Sequence, residues 1–168
     1  MAPCAECGYD VDSLDRNEIR RAITELAGEH CRVLASVPAE RLRDHPRPAS
    51  WSALEYGCHI RDVLRFQRER ITRAQTGDTP EFASMRRDER AVEERYNDQD
   101  PEQVSAEIAT AARQLTQTLA GLDDVGWVRT GIYNWPERAV RTMEWLARLT
   151  VHELAHHLFD ERRLVASV

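Results

Sequence analysis

The chain has 168 residues, 42% of them hydrophobic, and a formal charge of -6, which suits one globular domain over residues 1–168 with a core large enough to fold without staples. The acidic balance excludes a protein whose main task is to neutralise nucleic-acid phosphates. No run approaches the roughly 20 apolar residues of a membrane span, and the basic-then-apolar layout of a secretory signal is missing, so the expected setting is the cytoplasm, away from membranes.

A short N-terminal segment, residues 1–12, carries Cys4 and Cys7 in the run Cys4-Ala5-Glu6-Cys7-Gly8, while Cys31 and Cys58 lie far apart. In a cytosolic setting such cysteines are thiols or metal ligands before they are disulfides. With no second CxxC, this pair reads either as a metal or redox site or as a reduced pair facing solvent. The arginine-only basic content, 23 residues without a lysine, reflects GC-rich coding rather than chemistry.

A first helix is predicted from residue 13 or 14 to 37, with Ile19, Ile23, Leu26, His30, Val33 and Val37 on one stripe. Pro38 closes it, and the stretch with Pro46 and Pro48 reads as a loop. Ser50 is the expected N-cap of a second helix over 51–76, stopped by Gly77. Residues 77–100 form a long charged connection with room for a short surface helix. Asp100 then caps, and Pro101 opens, a third helix whose buried face holds Val104, Ile108, Ala111, Leu115, Leu119 and Leu122. A second loop over 123–139 carries Gly126, Trp127, Gly131, Tyr133, Trp135 and Pro136, and the last helix is expected over 140–164. No segment of useful length alternates like a strand. The fold class is therefore all-α, a four-helix bundle with one long crossover connection.

On the last helix Trp145, Leu149, His152, His156 and Phe159 follow a helical stripe, placing His152 and His156 one turn apart, within reach of one ion. On the second helix Glu55, His59, Asp62 and Phe66 form a comparable stripe, which makes His59 the third ligand. A single histidine on an apolar stripe is more often a core residue; three on two inward stripes favour a divalent metal with an open position for water or substrate. Glu55 and Asp62 are placed to accept the second N–H of His59 or to touch bound water. His157, about 100° around from His156, reads as a surface or outer residue, His30 as core or edge, and His45 as part of a loop.

Residues 152–156 also match the zinc-protease pattern HExxH, in which the glutamate activates water. A downstream third ligand is missing, position 162 being Arg162 and only Asp160 and Glu161 offering carboxylates, and no strand signal provides a sheet to hold a peptide. No catalytic residue is therefore assigned with certainty; Glu153, Asp62 and Glu55 are the possible bases.

The run from Trp51 to Asp62 around His59, together with Glu144-Trp145-Leu146 leading into His152-Glu153-Leu154-Ala155-His156-His157, resembles the DinB/YfiT-like superfamily across the chain in helix order. That resemblance implies a four-helix bundle with a His₃ divalent metal site on His59, His152 and His156. Among the branches are thiol S-transferases and thiol-dependent maleylpyruvate isomerases, and the arginine-only character and the opening cysteine motif look more like the mycothiol-using branch.

The resemblance implies a metal-dependent thiol S-transferase conjugating mycothiol to electrophilic small molecules in detoxification. Such chemistry is coherent, because a free thiol with pKa near ~8.5 becomes a thiolate when coordinated by a divalent ion. Zinc is the expected metal, although imidazoles also suit nickel, copper and iron. Tyr133 and Trp135 are the candidate contacts for the sugar-bearing thiol cosubstrate; an aromatic loop also commonly just caps a bundle. The other readings are a metal-dependent hydrolase, a thiol-dependent isomerase, and a non-catalytic metal- or thiol-binding stress protein. An exposed bundle face leaves room for a homodimer.

Overall fold

The computed structural model describes residues 4–45, 47, 50–135 and 137–166; Pro46, Pro48 and Pro136 lie outside them, as does the start of the N-terminal segment. Each long helix begins where a side chain can satisfy the free amides of a first turn. Asp15 accepts from the backbone N–H groups of Asn17 and Glu18 while Glu18 reaches back to the amide of Asp15, opening helix α1 (Arg16–Ser36). A brief helix α2 (Ala39–Leu42) follows Pro38. The N-cap of helix α3 (Ala53–Thr76) is Ser52 rather than Ser50, because Glu55 three residues on completes a capping box with it. The Ser50 hydroxyl instead donates to the carbonyl of Arg47.

The connection after α3 holds helix α4 (Arg87–Glu93) and a 3-10 turn, Tyr96–Asp98. Helix α5 (Pro101–Ala120) starts behind Asp100, which accepts from the amide of Gln103, and has proline in its first turn as expected. After helix α6 (Asp124–Val128) come two strands absent from the sequence reading, β1 (Thr130–Tyr133) and β2 (Ala139–Thr142), paired antiparallel from Thr130 opposite Thr142 to Tyr133 opposite Ala139. Their β-branched and aromatic residues suit a ladder, but four-residue strands are too short to show a period of two. Val140, expected in the last helix, is in β2. Helix α7 (Met143–Ala166) begins only where the Thr142 hydroxyl accepts from the amide of Trp145.

Helices α1, α3, α5 and α7 form the four-helix bundle, with α5 and α7 each packed against both α1 and α3. Contacts give the directions. Arg61 reaches Glu107 and Arg68 reaches Gln114, so neighbours α3 and α5 run parallel. Arg16 meets Glu144 and His30 meets Glu161, so α1 and α7 are parallel too. A parallel pair consecutive in the bundle needs a connection running the full helix length back, which is the task of residues 77–100. Its start joins the hairpin: the Phe82 amide donates to the carbonyl of Ile132, and that of Ile132 to the carbonyl of Pro80. Gly131 is needed there, since an added Cβ would come within 2.4 Å of the Phe82 ring.

The core is filled by Ile19, Ile23, Leu54, Ile60, Leu64, Ile71, Ile108, Leu115, Leu119 and Leu146, all at most 1% exposed. Among the described residues no helix is long and apolar enough to cross a membrane. The N-terminal strap lies along α7, where Arg148 donates to the carbonyls of Val11 and Asp12 and Val11 enters the core.

Candidate metal centre

The end of the bundle where α3 begins and α7 approaches its finish collects most of the histidines. His59, seven residues into α3, is 3% exposed, and neither of its ring nitrogens has a hydrogen-bond partner. Burial, helped by the charge on His157, holds it neutral and pushes its pKa down to about 3. Two unsatisfied buried nitrogens on one ring cost several kcal/mol unless something binds them. The groups facing them are Glu153 and His157: one ligand atom from each of the three lies within 4.8 Å of the others, and the His59 and His157 rings meet edge to face at 4.9 Å.

Glu153 and His157 are four apart on α7, one turn above each other. His157 Nε2 lies 3.5 Å from a Glu153 carboxylate oxygen, and its Nδ1 lies 3.3 Å from Asp160. Burial opposes a charge on His157, but the carboxylates of Asp160 and Glu153 outweigh it and raise its pKa to about 9. Glu153 is half-buried, yet the imidazoles of His157, His59 and His152 keep its carboxyl below the usual range. Aromatic walls close the site: Trp51 packs edge-on to His59 at 5.0 Å, Tyr56 stacks on His157 at 5.2 Å, and Arg87 of α4 covers the Trp51 ring.

The expected trio of His59, His152 and His156 is not brought together. His152 and His156 group instead with Cys4 and Cys7, again within 4.8 Å. The reason is the angular position of each residue. The stripe of α7 that enters the bundle runs Met143, Ala147, Thr150, Leu154, His157, Glu161, all buried, whereas Trp145, His152, His156 and Phe159 are only half-buried, and His152 and His156 meet the N-terminal strap. His157 is thus an inward residue, 8% exposed, not a surface one. The HExxH pattern is split between the two groups, with its histidines on one and its glutamate on the other.

The carboxylates expected beside His59 are occupied elsewhere. Glu55 completes the cap of α3. Asp62, 1% exposed, accepts from Arg61 Nε at 2.8 Å, Arg90 Nε at 2.6 Å and the Tyr96 hydroxyl at 2.7 Å, which ties the crossover to α3. His30 is core as expected, bonded to Glu161 and to the carbonyl of Leu154 across the α1–α7 contact, and His45 lies in a loop, donating to the carbonyl of Ser50.

Tyr133 and Trp135 are at the other end of the bundle. Tyr133 packs on Trp145 at 5.6 Å and accepts from Arg70, and Arg70 is 11 residues from His59 along α3, about 16 Å of helix. Trp135 is 60% exposed. Neither borders the histidines. The aromatic and basic residues that do, Trp51, Tyr56 and Arg87, carry no signal that singles them out in the sequence. Trp51 and Tyr56 lie in the same run as His59, and the one readable signal is that Glu153 and His157 share the i, i+4 spacing of His152 and His156.

Three protein ligands, one of them a carboxylate, match the composition of open catalytic zinc sites, which keep a position free. The donor set and the unsatisfied His59 nitrogens fit a divalent cation.

Residues 18–159 match the family model described as the DinB superfamily. No curated protein matches the chain in sequence. Among solved structures, it is similar to YfiT from Bacillus subtilis, described as a probable metal-dependent hydrolase with an unusual four-helix bundle topology, at a TM-score of 0.83 and 16% identity over 92% of this chain and 90% of that one. It is also similar to the mycothiol-dependent maleylpyruvate isomerase and to a mutant of that enzyme, each at a TM-score of 0.74 and 12% identity, covering 90% of this chain but 62% of the other.

Proposed function

The chain belongs to the DinB superfamily, and on that premise we propose that it is a divalent-metal-dependent enzyme that activates a low-molecular-weight thiol, mycothiol, for transfer to electrophilic small molecules. The observation that carries the metal-dependent part is the buried His59 with both nitrogens free, grouped with Glu153 and His157. A bound divalent cation would supply Lewis acidity there, lowering the pKa of a thiol from its free value near ~8.5 so that it reacts as thiolate at neutral pH. His59 is ready as a neutral ligand, Glu153 would bring the negative charge, and His157 would release one proton to solvent on binding the cation, keeping its Nδ1–H for Asp160. Asp160 then orients the His157 ring. Trp51 and Tyr56 keep bulk water from the site, and the Arg87 guanidinium favours anionic groups at its rim.

The thiol is supported by the likeness to a mycothiol-dependent isomerase, and zinc by the mixed imidazole and carboxylate donors. Detoxification in the cytoplasm is the setting this reading implies. Calorimetry with mycothiol on the metal-loaded protein and on a His59→Ala variant tests it. Metal-dependent thiol binding that vanishes in the variant is the expected result. Metal uptake with no thiol binding would overturn the transferase reading and favour hydrolysis, the activity ascribed to YfiT.

A further inference from the structure

The centre above leaves the N-terminal cysteines and the other two α7 histidines unused, and these form a second constellation. The chain turns tightly between Cys4 and Gly8: the Gly8 amide donates to the carbonyl of Cys4 at 2.9 Å, and the Cys4 amide to the carbonyl of Tyr9 at 3.2 Å. Gly8 has φ of +71°, a conformation that residues with a Cβ rarely adopt, so the glycine after Cys7 is what lets both thiols face the same way. Backbone N–H groups of Cys7 and Glu6 point at the Cys4 sulfur and, with His152, pull its pKa down to about 6.

The histidines are equally well disposed. His152 and His156 stand one turn apart with ring centroids 5.5 Å apart, and Cys4 Sγ lies 3.7 Å from His156 Nδ1. Zinc bonds of about 2.3 Å to sulfur and 2.0–2.1 Å to nitrogen, at the tetrahedral angle, put two such ligands about 3.6 Å apart. The remaining His156 nitrogen, Nε2, faces carboxylates of Glu6 at 3.4 Å and Asp160 at 3.8 Å, the outer partners that a metal-bound imidazole usually has.

We propose that Cys4, Cys7, His152 and His156 bind a second divalent ion, of the zinc class, in a closed site of four protein ligands. Two thiolates select a soft or borderline ion, and four protein ligands leave no open position, the mark of a structural site. The ion would staple the N-terminal strap to α7 across nearly the whole chain. It would also fix the rotation of the helical turn on which Glu153 and His157 alternate with His152 and His156, so the structural ion sets the geometry of the catalytic one.

The test is metal analysis of the full chain purified with reductant and loaded with zinc, followed by substitution with cobalt(II). Two ions per chain are expected in the wild type, and the cobalt protein should show the near-ultraviolet charge-transfer band of thiolate ligation. The Cys4→Ser/Cys7→Ser double variant should lose one ion and that band while its circular dichroism stays helical, and His156→Gln should do the same from the α7 side. His59→Ala should lose the other ion and keep the band, which separates this proposal from the catalytic reading. Absence of a thiolate band in the cobalt-loaded wild type would overturn it. So would an unchanged metal count in both the double variant and His156→Gln, or a Cys4–Cys7 disulfide in the reduced preparation.

Discussion

Glu153→Gln is expected to lower divalent-metal affinity at the His59 centre by more than about 100-fold, beyond the 10–100-fold that loss of an outer partner costs. The exchange keeps shape and removes the one negative charge among the three ligands. It also leaves His157 with Asp160 as its only carboxylate partner within 4 Å among the described residues. Equilibrium dialysis against zinc reads the affinity, and any thiol-transfer activity should fall with it at fixed metal concentration. The melting temperature is expected to move little in comparison, because Glu153 packs at the edge of the bundle rather than inside it. An affinity within a few-fold of wild type would remove Glu153 from the ligand set.

Asp62→Ala is expected to cost about 3–5 kcal/mol of folding stability, the range for breaking a buried ion pair by removing one partner. The carboxylate is 1% exposed and accepts from Arg61, Arg90 and Tyr96; without it Arg61, 6% exposed, loses its nearest counter-charge. That is a large part of the roughly 5–15 kcal/mol that holds a domain together. The same residue sets an acid response. Burial works against the Asp62 charge, but hydrogen bonds from Arg61, Arg90 and Tyr96 overcome it and depress the pKa below the ordinary 3.8. A depressed carboxyl contributes stability that is fully present above its unfolded value and is lost as pH falls through its folded one. Denaturant melts of the wild type should therefore weaken as pH drops below 3.8, and Asp62→Ala should lack that part of the decline. Equal acid slopes in the two proteins would count against this assignment.

The two residues also show why the fold is easier to read from sequence than the site. Helix starts are legible to within about three residues: 13 or 14, 51, 101 and 140 are expected, and the helices open at Arg16, Ala53, Pro101 and Met143; the local cap Asp100 with Pro101 declares itself, whereas the capping boxes Asp15–Glu18 and Ser52–Glu55 set starts a little later than the apolar pattern suggests. The crossover is legible as a long polar gap. The hairpin is not, since its strands are four residues each and Val140 and Thr142 fit a helix pattern as well as a ladder.

Side-chain direction on α7 is harder still. That helix buries residues on several faces, Leu146, Leu149, Val151, Leu154 and Leu158 among them, so apolar spacing supports more than one stripe. The pattern through His152 and His156 looks inward from sequence, whereas the one through His157 is what enters the bundle. What decides between them is the N-terminal strap, whose Cys4 and Cys7 cover the His152 face. A contact between the two ends of a chain leaves no local pattern to read. His59 itself is legible as a buried residue, because α3 is enclosed on all sides there, from Gly57 to Leu64, and no choice between stripes arises.

The measurement that tests the central claim most directly is an anomalous difference map from crystals of the full chain grown with zinc. A peak bonded to His59, Glu153 and His157 at the roughly 2.0–2.2 Å of zinc–nitrogen and zinc–oxygen bonds is expected, with a further coordination position that no protein atom fills. A map in which zinc occupies only the cysteine–histidine cluster, leaving the His59 nitrogens without a ligand at saturating metal, would contradict it.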